Sequence, residues 1–71
     1  MAPVNDDVLN MSLRKFLKKV GVTSQREIEQ AVRTALDDGR LRGDERLPAK
    51  VRLLLPAVGL DVEIDGEIEL E

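Results

Sequence analysis

At Arg46 the spacing of apolar side chains changes from a helical period to strict alternation, and this change constrains the fold more than any other feature of the chain. Beyond it, Leu47, Ala49, Val51, Leu53 and Leu55 alternate with Arg46, Pro48, Lys50, Arg52 and Leu54. Leu60, Val62, Ile64, Ile68 and Leu70 then alternate with Asp61, Glu63, Asp65, Glu67 and Glu69. Successive side chains of a strand point to opposite faces, so both segments read as strands with one apolar face, over about residues 46–55 and 60–70.

Directly opposed residues of an antiparallel ladder share a face, so the register is testable on paper. A four-residue turn, Pro56-Ala57-Val58-Gly59, opposes Leu55 to Leu60, Leu53 to Val62, Val51 to Ile64 and Leu47 to Ile68, all apolar. The same register opposes Arg52 to Glu63, Lys50 to Asp65 and Arg46 to Glu69, all opposite in charge. A turn at Asp65-Gly66, otherwise a strong hairpin signal, sets Ile64 against Glu67 and Val62 against Glu69 and fails on parity. Gly66 is therefore expected as a bulge or a thin spot inside one long strand.

Upstream, Leu9, Leu13, Phe16, Leu17 and Val20 recur at helical spacing. They predict an amphipathic helix over about residues 5–20, with Asp6 and Asp7 at its start, lysines at its end and Gly21 as its stop. Ser24 followed by Glu27 reads as a capping box opening a second helix, about residues 24–38, whose stripe is Ile28, Ala31, Val32, Ala35 and Leu36. Gly39 is its expected terminator, with Leu41 folding back on the last turn. The fold class is thus α+β in the order α-α-β-β: two amphipathic helices packed on a long antiparallel hairpin, in one domain over residues 1–71 with residues 1–5 disordered. Both hairpin edges carry unpaired backbone groups, so a sheet extended by dimerisation and a monomer both remain open.

Composition removes much chemistry. With no His and no Cys there is no imidazole catalyst, thiolate nucleophile, disulfide framework or zinc knuckle. The acidic N-terminal residues, without a long apolar run, are not expected to act as a secretory signal, and the apolar run at residues 53–60 is too short to span a bilayer, so the expected location is cytoplasmic, away from membranes.

The run Asp7-Val-Leu-Asn-Met-Ser-Leu-Arg-Lys-Phe-Leu-Lys-Lys-Val-Gly-Val-Thr-Ser-Gln-Arg-Glu-Ile-Glu, with Leu47-Pro-Ala-Lys and the closing Gly66-Glu-Ile-Glu-Leu-Glu, resembles a family of short stand-alone bacterial proteins of unknown function. The resemblance spans nearly the whole chain and implies a complete protein. It brings no activity, cofactor or catalytic residue.

Three motifs have plain structural readings beside their chemical ones. Ser12-Leu-Arg-Lys15 matches the Ser-x-x-Lys pattern of a lysine-assisted serine, but also an ordinary helix turn in a chain with little room for a substrate pocket. Asp61-Val-Glu-Ile-Asp-Gly66 imitates the start of a calcium loop, yet strand alternation explains it and sets the carboxylates ~7 Å apart, too spread for one ion without a second chain. Val20-Gly-Val-Thr23 resembles the turn of a helix-turn-helix, but the helix after it opens with Glu27 and Glu29, which phosphate repels.

Charge is segregated. Residues 1–52 hold 11 bases and 8 acids, net +3, whereas residues 53–71 hold six acids and no base, net −6. The interaction candidates are the outward basic stripe of the first helix, Met11, Arg14, Lys15, Lys18 and Lys19, and the acidic row Asp61, Glu63, Asp65, Glu67 and Glu69. The functional expectation is a non-enzymatic interaction or regulatory accessory protein, with no cofactor and no metal. Its partner is an unidentified protein or a second copy of itself; the alternative is a nucleic-acid accessory using the basic stripe, disfavoured by the lack of exposed aromatics for stacking.

Overall fold

A computed structural model describes residues 4–71 as one long helix followed by a two-stranded antiparallel hairpin. Helix α1 spans Asp6–Asp37, strand β1 Arg46–Leu55 and strand β2 Leu60–Glu69. Of the segment expected to be disordered, residues 1–3 lie outside the described residues, while Asn5 has a defined role. As N-cap of α1, its side-chain oxygen accepts from the backbone N–H of Asp7 at 3.1 Å and of Val8 at 3.2 Å.

Two helices are expected and one is found. Gly21 does not stop α1, because a helix end of that kind needs a left-handed residue and Gly21 is not among the positive-φ glycines. A glycine within a helix costs only about 1 kcal/mol relative to alanine, and the flanking residues readily carry the helix through it. The Ser24–Glu27 capping box does not form either: Ser24 lies mid-helix, half-buried, and the nearby side-chain bond runs from Gln25 Nε2 to Glu29 Oε1 at 3.1 Å. Continuity was legible in the phase of the stripe, since Val20, Ser24 and Ile28 stand four residues apart across the supposed break. A continuous helix also leaves no helix-turn-helix.

The C-terminal stop is as expected. Gly39 has φ 81°, its N–H donates to the Leu36 carbonyl at 3.3 Å, and the N–H of Arg40 donates to the Ala35 carbonyl at 2.9 Å, the bond pair of a Schellman motif. Leu41 folds back, its N–H reaching the Ala35 carbonyl at 3.1 Å.

The hairpin has the register read from parity, from Arg46 opposite Glu69 through Val51 opposite Ile64 to Leu55 opposite Leu60. The turn is a 3-10 segment, Pro56–Val58, closed by Gly59 at φ 69°. Gly66 is a thin spot and not a bulge, paired in step with Ala49.

The helix does not cover the hairpin, contrary to expectation. The two meet at one end, where Val32 and Leu36 of α1 share a shallow depression with Gly43 and Leu70. Ala35 is the one buried apolar side chain among the described residues. The radius of gyration is 16.8 Å, against about 11 Å for a compact domain of this length.

Candidate interaction surface

On the continuous helix, Leu9, Leu13, Phe16, Val20, Ser24, Ile28 and Ala31 follow one another at three- and four-residue steps and so form a single stripe, with Leu17 at its margin. Its N-terminal half is bare: Leu9, Leu13, Phe16 and Leu17 are 47 to 56% exposed. Phe16, Lys19, Val20, Thr23 and Ser24 line an open depression that no residue of the hairpin enters. On the inner hairpin face Val51, Leu55, Val62 and Ile64 are exposed, whereas Leu53 and Leu60 toward the turn and Leu47, Ala49 and Ile68 nearer the helix are half-buried.

The basic stripe stands where the sequence places it. Met11, Arg14, Lys15, Lys18 and Lys19 are all exposed, and among the described residues none of these four cations forms an ion pair. Because α1 does not break, Arg26 and Arg33 fall in phase with Lys15 and Lys19, and the basic face extends to Arg33, interrupted by Glu29. Reading two separate helices had hidden that extension.

The acidic row is largely paired, but not square across the ladder. Arg46 meets Glu69 at 3.9 Å as expected, whereas Arg52 reaches diagonally to Asp61 at 2.8 Å instead of Glu63, and Lys50 to Glu63 at 3.8 Å instead of Asp65. Strand twist brings diagonal neighbours within reach of long side chains, which accounts for the shift of partner. Asp65 and Glu67 are exposed and have no ion-pair partner among the described residues. Nor, among those residues, do three carboxylates gather as a metal site requires.

The sequence reading passed over Glu45. Its carboxylate accepts the N–H of Arg42 at 2.9 Å and that of Gly43 at 2.9 Å, closing the loop between helix and hairpin while Gly43 holds φ 111°. Those backbone bonds, Arg42 foremost, hold its carboxyl below the usual range. The signal was a glycine followed within two residues by an acid at a strand entry. The side-chain hydrogen bond with Arg52 lowers Asp61, and that with Arg40 lowers Asp38. Each of these shifts stabilises the charged form and moves the group away from neutral pH, the opposite of what an acid-base catalyst needs.

No described helix is long and apolar enough to cross a membrane. A family model described as "Family of unknown function (DUF6494)" matches residues 4–71. Comparison with curated proteins and with solved structures gave no match.

Proposed function

Because the chain belongs to that family of unknown function and inherits no activity from it, we propose that it acts by non-covalent association, as a cytoplasmic interaction or regulatory accessory protein. Its binding surface is the apolar stripe of α1 together with the inner face of the hairpin. One observation carries this reading. The chain exposes 6687 Å², whereas a compact protein of 7.9 kDa exposes about 4,400 Å². The excess, roughly 2,300 Å², is of the size that obligate interfaces bury, and Leu9, Leu13, Phe16 and Leu17 of α1 with Val51, Val62 and Ile64 of the hairpin are among the large apolar side chains left exposed. The unpaired outer edges of β1 and β2 offer a second contact, by sheet extension.

The nucleic-acid alternative gains one point from the unbroken helix, whose basic face now includes Arg26 and Arg33. Affinity capture from host lysate separates the two readings, using wild-type chain, a Leu13→Glu variant and a variant with Arg14, Lys15, Lys18 and Lys19 changed to Gln. Retention of a protein at high salt, insensitive to nuclease and lost with Leu13→Glu, supports the apolar surface. Retention abolished by nuclease, by moderate salt and by the fourfold variant would replace it with the basic stripe.

A further inference from the structure

We propose that the occupant of the α1 stripe is a second copy of this chain, packed antiparallel about a two-fold axis level with Val22. The inference rests on the interaction reading above and names its partner.

The spacing of the stripe carries it. From Leu9 through Leu13, Phe16, Val20, Ser24, Ile28 and Ala31 to Ala35 the steps are four, three, four, four, four, three and four residues. That series reads the same from either end. An antiparallel two-fold pair requires this property, because the axis must lay each position of the stripe onto another position of the same stripe. A different partner helix places no such demand on the sequence.

Side-chain size follows the same symmetry. The pairing opposes Leu13 to Ala31, Phe16 to Ile28 and Val20 to Ser24, so the larger residues of the N-terminal half meet smaller ones of the C-terminal half. Facing helices interlock best when large and small alternate across the contact. At the outer end Leu9 is brought level with Ala35, which its own chain already buries, so Leu9 meets the rim where α1 joins the hairpin. Ala31 is exposed in the isolated chain and Leu13 nearly half so, and each would be covered.

Area agrees. Each chain exposes roughly 2,300 Å² more than a compact protein of its mass, well above the ~800 Å² per partner that a standard-size interface buries.

The test uses the purified full chain. Light scattering should give twice the chain mass at micromolar concentration. Ala31→Glu keeps a good helix former at an exposed site, so it should retain helical circular dichroism while scattering as a single chain. Orientation is read from nitroxide labels at Met11→Cys and, separately, Gln25→Cys, unique sites in a chain without cysteine. Antiparallel pairing offsets the two Met11 sites by about 33 Å along the axis and the two Gln25 sites by about 9 Å, so the first label distance exceeds the second by ten ångströms or more. Equal distances would mean parallel helices and overturn the proposal. A single-chain mass up to hundreds of micromolar would overturn it too, while capture of a different protein through Leu13 would leave the broader reading standing.

Discussion

Replacing Gly21 by alanine separates one continuous helix from two by the sign of a single number. In the structure Gly21 is helical, and a Cβ built on it meets nothing within 4 Å. Alanine there forfeits no packing and gains the whole propensity difference, about 1 kcal/mol. For a chain of this size, that gain raises the melting midpoint by about 4–8 °C. If the helix instead ended before Gly21 with this residue in the left-handed region, alanine would cost about 1–2 kcal/mol and the midpoint would fall. Thermal melts followed by far-ultraviolet circular dichroism suit a chain without Trp or Tyr, run on both proteins at equal concentration. A lower midpoint for Gly21→Ala would refute the continuous helix.

Glu45→Gln removes the carboxylate that closes the loop into the hairpin, and it should lower the midpoint at neutral pH. Since the folded state holds this carboxyl below its ordinary value, its contribution is complete above about pH 4.3 and lost as pH falls through the lower folded pKa. Calorimetry on a pH series should therefore show a shallower acid loss in the variant; parallel curves would count against the role. Asp61→Asn breaks the diagonal pair with Arg52 and should lower the midpoint at low salt, with the difference closing near 1 M salt, where screening acts within about 3 Å. A salt-independent difference would mean that Asp61 acts otherwise. Leu53→Asp sets a charge on the inner hairpin face opposite Val62 and should cost about 1–3 kcal/mol in urea unfolding, whereas an unchanged midpoint would remove Leu53 from that face.

The hairpin was legible because parity is unforgiving: a slip of one residue would have set Ile64 against Lys50 or Arg52 and Leu53 against an acid, and the rival turn at Asp65-Gly66 set Ile64 and Val62 against acids. The helix boundary misled for the opposite reason. Gly21 and Ser24 are locally ambiguous, since glycine is tolerated inside helices and a Ser-x-x-Glu sequence caps only where the chain already begins a helix. At Gly39, by contrast, the apolar stripe ends, and there the glycine does stop the helix. Basic stripe and acidic row could be placed from sequence, but the ion-pair partners could not, because strand twist and not sequence offset chooses between Glu63 and Asp61 for Arg52. Expecting the helices to cover the sheet assumed that one chain of this length closes its own core. The uncovered stripe means that this chain does not.

The measurement that bears most directly on a stripe covered by a second copy is the melting midpoint as a function of chain concentration. A pair that melts directly to two unfolded chains gains about 1.4 kcal/mol per dimer for each tenfold increase in concentration, so the midpoint should climb about 4–5 °C per decade from 1 to 100 µM. A midpoint that stays fixed over those two decades would contradict the account.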